Sequence, residues 1–451
     1  MTVFIFFFFM LFCSALSFLI LTNSFTYSFS FFFFPSFSFF SCLPFSSTLI
    51  LDNEHGGHEW WDYVTVRPHA HMFYWVYEHK DVDNKPLIMW LQGGPGASST
   101  GFGNFMEIGP LDVDLNPRKF TWLSQASLLF VDNPVGSGYS YVTSEDAYTT
   151  DVQTIAKDLL TMLKNVMNRK PNMQKLPFYI FAESYGGKMA AAFSLLLLEA
   201  IKRGEINCQF EGIGMGDSWI DPAASVKSWG PFLLLMSLID SEGYVQVDNA
   251  ASNVTELVKK GQFVKATLMW RLTETIVAKL TSGVNWYNVM KWSPQKAQFS
   301  VPYINASMDV KSLYMTHVGP LNLDKLSALM NGQIRSKLGI IPKNVTWGVN
   351  ELIKYKKLKV VVYSGQLDLI VATLGTEFWV SQLDIAKKLQ NEKRNIIINP
   401  YTSVPVGYVK GICNFDFYWI LNAGHMIPSD NPSGGFEMLR RILAPKNSSN
   451  C

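Results

Sequence analysis

The chain has 451 residues, of which 48% are hydrophobic and 16% are charged, and its formal net charge is +2. This near balance of charge argues against nucleic-acid binding as the main function, because such proteins carry a strongly basic surface. The apolar content excludes a disordered chain, and the length allows two or three domains, or one large domain with an insertion.

The first fifty residues differ in composition from the rest. They contain 17 of the 33 Phe and no charged residue. Residues 1–22 form an almost unbroken apolar run, and residues 23–50 continue as a Phe/Ser tract of low complexity. Three interpretations remain open: a cleaved targeting segment, an uncleaved membrane anchor, or a mistaken translation start. The first two direct the remainder into the secretory pathway.

Two further patterns bear on the cellular compartment. Asn-x-Ser/Thr triplets make four residues after position 50 candidates for glycosylation, namely Asn253, Asn305, Asn344 and Asn447. Outside the N-terminal segment there are three cysteines, so at least one thiol among them is left over, although a bond between Cys208 and Cys413 is conceivable.

Short apolar runs bounded by Gly, Pro, Asn or Asp predict strands buried on both faces, at residues 86–91, 127–131, 178–181, 359–363 and 417–421. Longer helical patterns cover residues 151–168 and 188–203. Alternation of strands and helices predicts an α/β fold with a mostly parallel central sheet. Residues 222–347 are rich in helix formers and predict a mainly helical insertion, or cap. The expected organisation is therefore an N-terminal segment 1–50, a sheet domain in two parts (51–221 and 348–445), the insertion, and a tail 446–451.

A serine stands between the strand pattern at 178–181 and a following helix, in the run Phe181-Ala182-Glu183-Ser184-Tyr185-Gly186-Gly187. This is the layout of a nucleophile elbow, in which small neighbours permit a tight turn that exposes the serine hydroxyl. Ala182 replaces the glycine of the strict G-x-S-x-G pattern. Ser184 is thus a candidate nucleophile, although a serine at a helix start is also a common N-cap.

A base and an acid stand in the right order for such a serine. Among the seven His, only His425 follows a strong strand and lies in a Gly-containing loop, and Asp368 stands just beyond the strand that ends at Tyr363. The order Ser184, Asp368, His425 is the chain order of α/β-hydrolases. Taken singly, His425 could be an ordinary loop residue and Asp368 a turn or cap residue.

A glycine-rich loop follows the first strong strand, in Gln92-Gly93-Gly94-Pro95-Gly96. Glycines let backbone N–H groups approach a substrate carbonyl. The N–H groups of Gly94 and of Tyr185, the residue after the nucleophile, are therefore the candidate oxyanion hole.

Several of these segments together resemble the serine carboxypeptidase family: Trp90-Leu91-Gln92-Gly93-Gly94-Pro95-Gly96, Glu107-Ile108-Gly109-Pro110, Asp132-Asn133-Pro134-Val135-Gly136-Ser137-Gly138-Tyr139-Ser140-Tyr141, Glu183-Ser184-Tyr185-Gly186-Gly187 and Gly424-His425-Met426. The resemblance spans about residues 60–435. It is greatest to the retinoid-inducible branch, on Gln92 in place of the more usual Asn, Asp217-Ser218-Trp219 and Gln366-Leu367-Asp368-Leu369-Ile370. Ala97 stands where the family often has Cys.

The resemblance implies an α/β-hydrolase fold and an acid-active exopeptidase that releases C-terminal residues through an acyl-enzyme. It assigns binding of the substrate's free carboxylate to Trp90, Gln92, Glu107 and Glu183. Two close carboxyls share a proton and can then donate hydrogen bonds to that carboxylate, which would account for acid preference and fits a secreted or lysosomal enzyme. Without the resemblance, Glu107 would be a surface residue and Glu183 an ion-pair partner of Lys188.

The expected partners are peptides with a free C-terminus, and a homodimer is an option. A membrane is expected only if the N-terminal segment is retained, and neither nucleic acid nor a cofactor is expected. The glycine loop lacks the Gly-Lys-Ser/Thr of a phosphate loop, and no H-E-x-x-H motif suggests a metal. Two other functions remain open: ester hydrolysis or acyl transfer at the same triad, and a non-enzymatic binding or protective role.

Overall fold

A computed structural model describes residues 51–52, 57–291 and 344–445. By its internal contacts the chain divides into the units Met1–Ser47 and Thr48–Cys451, and every described residue belongs to the second unit. The predicted N-terminal segment, the tail 446–451 and residues 292–343 of the predicted insertion lie outside the described residues. So do the glycosylation candidates Asn305 and Asn447.

The strands form one large mixed sheet. Their bounds are β1 (Leu51–Asp52), β2 (His58–Arg67), β3 (Ala70–Tyr77), β4 (Leu87–Leu91), β5 (Ser127–Val131), β6 (Tyr141–Val142), β7 (Pro177–Glu183), β8 (Gln209–Gly216), β9 (Lys359–Gly365), β10 (Asn395–Ile398), β11 (Pro405–Ile412) and β12 (Phe415–Ile420). The order across the sheet is β1-β2-β3-β5-β4-β7-β8-β9-β12-β11-β10, with β6 paired to β3. Neighbours are parallel from β5 through β12 and antiparallel at both ends. The predicted mostly parallel α/β fold is confirmed.

Helices connect these strands. Their bounds are α1 (Ser99–Ile108), α2 (Val152–Arg169), α3 (Tyr185–Lys202), α4 (Pro222–Lys227), α5 (Trp229–Leu235), α6 (Ser241–Lys259), α7 (Phe263–Leu280), α8 (Thr346–Lys354), α9 (Thr373–Val380), α10 (Ala386–Gln390), α11 (Ile427–Asp430) and α12 (Pro432–Leu443). Short 3₁₀ turns cover Trp122–Ser124, Glu145–Ala147 and Pro171–Lys175. Within the predicted insertion, the elements that the structure describes are the helices α4 to α7 and the start of α8.

Alternate residues of each central strand face opposite sides of the sheet, because the side-chain period of a strand is two. In β4, Met89 and Leu91 join the core that contains α2 and α3, whereas Ile88 and Trp90 join the core that contains α1 and α12. Both faces of the central strands are therefore buried. This double burial explains why these strands appear in the sequence as continuous apolar runs.

Strand β8 lies in the middle of the sheet but was not predicted, because glycine occupies three of its positions. A Cβ on Gly214 would lie 2.5 Å from the Phe181 ring, and one on Gly216 would overlap the Tyr363 ring. The glycines therefore make room for aromatic side chains of the neighbouring strands. The strands β2, β3, β10 and β11 were also not predicted from the sequence.

The described part of the chain decides one expectation about the cysteines and bears on two of the glycosylation candidates. The Cys208 thiol is free and Cys413 is disulfide-bonded, so the conceivable Cys208–Cys413 bond is wrong, and the partner of Cys413 lies outside the described residues. Asn253, on α6, and Asn344, just before α8, are both exposed. Within residues 57–291 and 344–445, no helix combines the length and apolar character that crossing a bilayer requires.

Candidate active site

The candidate residues meet at one edge of the sheet. The strands β4, β7, β8, β9 and β12 run parallel, so their carboxyl ends lie at the same edge, where α/β proteins hold their ligands. The segments that follow these strands contain Gly94, Ser184, Asp217, Asp368 and His425, respectively. The fold thus gathers residues that are far apart in the sequence.

Ser184 occupies a sharp turn between β7 and α3. Its backbone has φ 59° and ψ −126°, a conformation that is unfavourable for a residue with a Cβ and is found at functional sites. The turn is held by hydrogen bonds from Ser184 N–H to the Gly216 carbonyl (3.0 Å) and from Trp219 N–H to the Ser184 carbonyl (2.8 Å). The side chains around it are buried, while Ser184 itself is partly exposed. This is the geometry expected of a nucleophile elbow.

His425 and Asp368 are in direct contact. The His425 Nδ1 lies 2.7 Å from Asp368 Oδ2, and both side chains are buried. With its Nδ1–H donated to the carboxylate, the imidazole keeps Nε2 as its basic nitrogen. Val371 N–H donates to the other oxygen, Oδ1, at 3.2 Å. The carboxylate is therefore held from both sides and would orient the imidazole ring.

A residue that the sequence analysis did not identify also holds His425. The His425 backbone N–H donates to the Tyr287 carbonyl at 2.6 Å, and the two rings lie 5.2 Å apart between centroids. Tyr287 follows α7, within the predicted insertion. No pattern in the sequence connects Tyr287 with His425, because the contact joins a loop of the insertion to a loop of the sheet domain.

The glycine loop lies directly against the nucleophile. A Cβ on Gly93 would be 2.5 Å from the Ser184 Cβ and 2.9 Å from the Tyr185 nitrogen, so only glycine fits at this position. Gly94 has φ 111°, which also favours glycine. Among the described residues, neither the Gly94 nor the Tyr185 amide has a hydrogen-bond acceptor. Two free N–H donors beside a serine could stabilise an oxyanion.

Trp90, Gln92 and Glu183 form one chain of hydrogen bonds. The Trp90 indole N–H donates to Gln92 Oε1 at 2.6 Å, and Gln92 Nε2 donates to Glu183 Oε1 at 2.6 Å. Glycine at position 103 leaves room for the Trp90 ring and the Gln92 amide, because a Cβ there would overlap the Trp90 ring. The longer Gln side chain is therefore accommodated, and its amide is fixed in a single orientation.

Glu107 and Glu183 form a buried acid pair. They are 1% and 3% exposed, so Glu107 is not the surface residue that its sequence context alone suggested. Burial raises the pKa of Glu107 to about 7. Burial, followed by the charge of Glu107, raises the pKa of Glu183 well above its ordinary value. Neither Glu107 oxygen makes a hydrogen bond of ordinary geometry among the described residues, although the nearby Gln92 amide favours the charged form, and a proton shared with Glu183 supplies a donor between the two carboxyl groups.

Asp217 is a second site residue to which the sequence analysis gave no chemical role. It follows β8 with φ 38°, is fully buried, and accepts a hydrogen bond from Gly365 N–H at 2.9 Å. Its motif was noted only as part of the resemblance, because the glycine-rich β8 before it was not predicted as a strand. Recognition of that strand would have placed Asp217 at the same sheet edge as Ser184 and Asp368.

Among the described residues, Asp217, Asp368 and His425 each offer a potential metal-ligand atom, and these three atoms lie within 4.8 Å of one another. The His425 Nδ1 in this group is already bonded to Asp368. The grouping is therefore accounted for by proton chemistry, and we assign no metal to it.

Comparison with known proteins gives consistent matches. The family model described as serine carboxypeptidase matches residues 51–445. Retinoid-inducible serine carboxypeptidase of Mus musculus is 45% identical over 430 residues, which cover 89% of this chain and 95% of that protein. Serine carboxypeptidase-like 51 of Arabidopsis thaliana is 36% identical, with coverage of 86% and 92%, respectively.

A solved structure shares the fold. It is that of Kex1(delta)p, a prohormone-processing carboxypeptidase from Saccharomyces cerevisiae, with a TM-score of 0.70 and 22% sequence identity. The match covers 87% of this chain and 93% of that chain. The similarity confirms the predicted α/β-hydrolase fold.

The buried acid pair predicts that stability depends on pH. Since burial raises the pKa of Glu107 from 4.5 to about 7, the folded chain keeps a proton that the unfolded chain loses above pH 4.5. Stability from this group is complete below pH 4.5 and is lost as the pH rises towards 7. Urea denaturation should show the free energy of unfolding falling by up to about 1.4 kcal/mol per pH unit for each proton held. The fall should be smaller in Glu107→Gln and unchanged in Glu392→Gln, which alters an exposed residue. Equal pH dependence in all three proteins would contradict a proton held by the pair.

Proposed function

This chain belongs to the serine carboxypeptidase family and is a serine-type carboxypeptidase, and we propose that it works in acid medium with Ser184, His425 and Asp368 as its catalytic triad. Its substrates are peptides. The observation that carries the proposal is the buried pair Glu107 and Glu183, because it lies next to the nucleophile and can recognise a free carboxylate only when it holds a proton.

The reaction proceeds through an acyl-enzyme. Ser184 Oγ attacks the carbonyl of the last peptide bond while His425 Nε2 takes the hydroxyl proton. The same proton then passes to the leaving amino group, the C–N bond breaks, and the released product is the C-terminal amino acid. Water next attacks the Ser184 ester, gives its proton to His425, and frees the shortened peptide and the serine. Asp368 holds the imidazole throughout.

The two backbone amides near Ser184 stabilise the negative charge that develops on the carbonyl oxygen. Gly94 N–H and Tyr185 N–H are the donors in this proposal. It is supported by the close contact of Gly93 with Ser184 and by the lack of other acceptors for these amides among the described residues. Preorganised donors of this kind contribute about 10²–10³-fold to the rate in other enzymes.

The acid pair sets both substrate class and pH preference. The free carboxylate of the substrate receives hydrogen bonds from Gln92 and from the protonated pair of Glu107 and Glu183. When the pH rises and the pair loses its proton, the negative charges of Glu107 and Glu183 both repel the substrate's carboxylate, and binding fails. An esterase or acyltransferase at the same triad has no need for this pair, so the acid pair favours the exopeptidase.

We place the peptide-binding surface between the sheet domain (51–221 and 348–445) and the insertion (222–347). The support comes from the segment after α7, where Tyr287 contacts His425 and Asn288 Nδ2 donates to Asp430 Oδ2 at 2.7 Å. The insertion therefore reaches the catalytic loop and can shape the pocket for the substrate's side chains.

The compartment that we propose is the secretory pathway, with a final location outside the cell or in the lysosome. A disulfide at Cys413, exposed Asn253 and Asn344 in acceptor triplets, and the apolar residues 1–50 support this location.

N-terminal sequencing of protein recovered from secreting cells should find a start near Asp52–Trp60. A retained Phe tract would indicate an anchor instead. Recovery of an unglycosylated protein from the cytosol would contradict the proposed route.

Replacement of the nucleophile tests the proposed reaction. We expect Ser184→Ala to lower kcat towards a blocked dipeptide by about 10⁴-fold or more, because the acyl-enzyme can no longer form. The matched control is Ser194→Ala, which changes another buried serine on α3 whose hydroxyl has no partner among the described residues. It should keep wild-type activity. Equal activity of Ser184→Ala and the wild type would refute the triad, and loss in both variants would indicate a defect in folding.

A further prediction concerns the free carboxylate of the substrate. Above about pH 7, kcat/KM for a blocked dipeptide should fall by about tenfold per pH unit as the acid pair ionises. The same dipeptide as a C-terminal amide has no charge for the pair to repel, so its weaker hydrolysis should not show this fall. Glu107→Gln should lower activity on the free acid and flatten its alkaline fall. An ester without a free carboxylate as the preferred substrate would favour the esterase alternative.

A further inference from the structure

Asp217 is buried beside the Asp368–His425 pair, and the reaction proposed above gives it no task. It follows β8, while Asp368 follows the adjacent parallel strand β9. Both carboxyl groups are fully buried, and their oxygens lie within 4.8 Å of each other and of a His425 ring nitrogen. Two acids and one imidazole therefore share a space that is closed to water.

The hydrogen bonds show which carboxyl oxygens are already in use. In Asp368, Oδ2 bonds to His425 Nδ1 and Oδ1 accepts from Val371 N–H. In Asp217, Oδ1 accepts from Gly365 N–H, whereas the buried Oδ2 makes no hydrogen bond of ordinary geometry among the described residues, although the nearby Ser364 hydroxyl favours the charged form of Asp217. A buried carboxylate oxygen without a donor is costly, but the same oxygen becomes a donor when it carries a proton. A carboxylate oxygen of Asp368 lies within 4.8 Å of a carboxylate oxygen of Asp217, so Asp368 is an acceptor available to such a proton.

The groups that face Asp217 come from each strand packed against β8 and from the histidine loop. Glu183 ends β7, Tyr363 and Ser364 belong to β9, Asp368 follows β9, and His425 follows β12. Glu107 interacts in turn with Glu183. Burial, followed by the charge of Asp368, raises the pKa of Asp217 well above its ordinary value. The acidic neighbours thus favour a neutral Asp217.

We infer that Asp217 is a positioning residue that stays protonated and donates a hydrogen bond from Oδ2 to the Asp368 carboxylate. The inference rests on the proposed function, because it takes Asp368 to be the group that orients His425. The hydrogen bond holds the carboxylate in place and withdraws part of its negative charge. A less negative Asp368 stabilises the imidazolium less strongly, which favours the neutral, basic imidazole in acid medium.

Two substitutions at Asp217 separate this role from a purely structural one. Asp217→Asn keeps an oxygen for Gly365 N–H and replaces the hydroxyl donor by an N–H donor, and Asn suits the positive φ at this position. Asp217→Ala removes the donor. The measurements are kcat, KM and the rate of Ser184 labelling by a fluorophosphonate, from about pH 3.5 to about pH 8. The labelling needs the triad but not the acid pair that binds the carboxylate.

The acid limb is the part of the pH profile in which kcat or the labelling rate falls as the pH is lowered. We expect Asp217→Asn to keep the acid limbs of the kcat profile and of the labelling profile at their wild-type positions. We expect Asp217→Ala to move that limb to higher pH by about 1 unit and to lower kcat at acid pH by about tenfold with KM nearly unchanged. A shift to lower pH in either variant would overturn the inference, because it would mean that a negative charge had been removed. An unmoved acid limb in a folded Asp217→Ala would also overturn it.

The design keeps the inference falsifiable if Asp217→Ala does not fold. Asp217→Asn alone then decides: it exchanges one neutral donor for another if Asp217 is protonated, which leaves the acid limb in place, and it removes a negative charge if Asp217 is ionised, which moves the acid limb to lower pH. Thr376→Val is the matched control, since it alters a buried hydroxyl on α9 that has no partner among the described residues, and it should leave both profiles unchanged. If the wild-type chain is not labelled at Ser184, the proposed function itself fails. If it is labelled, failure of the Asp217 predictions affects this inference alone.

Discussion

The burial of carboxyl groups at the carboxyl ends of the central strands is the constraint on which the site depends. Glu107, Glu183, Asp217 and Asp368 are all almost completely buried. The charges of Glu107, Asp217 and Asp368 raise the pKa of Glu183, and the charge of Asp368 raises the pKa of Asp217. A buried carboxyl must be paired, hydrogen-bonded or protonated. Asp368 is bonded to His425, whereas the acid pair at Glu107 and Glu183 favours the protonated state. The fold thus places Glu107, Glu183 and Asp217 where burial and mutual repulsion favour the protonated form.

Close backbone contacts bring the reacting groups together. Gly93 lies against Ser184, and Gly365 lies against the Gly424 carbonyl, so the loops after β4 and β7, and those after β9 and β12, meet without intervening side chains. Glycine is needed at these positions because a Cβ would overlap backbone or side-chain atoms of the opposite loop. The same contacts leave the Gly94 and Tyr185 amides beside the serine. The relative positions of these loops are therefore set by close packing at glycines.

The segment after α7 joins the insertion to the catalytic loop. Asp430 is its central contact: the carboxylate accepts from Gly424 N–H at 2.8 Å and from Asn288 Nδ2, and it forms an ion pair with Lys291. Tyr287 adds the hydrogen bond to the His425 main chain. Through these bonds, the segment after α7 contacts both the His425 main chain and Asp430.

The sequence by itself determined the fold class, five central strands and two long helices, and it singled out Ser184, Asp368 and His425 as the candidate triad in that order. Each of these leaves a local signal, because a doubly buried strand is a continuous apolar run and an elbow needs small residues around its serine. Only the tertiary structure placed β8, Asp217 and Tyr287. The glycines of β8 make room for the aromatic rings of neighbouring strands. Tyr287 contacts His425 although the two residues are far apart in the sequence. Such features depend on what packs against a residue, and a pattern along one chain does not record that packing.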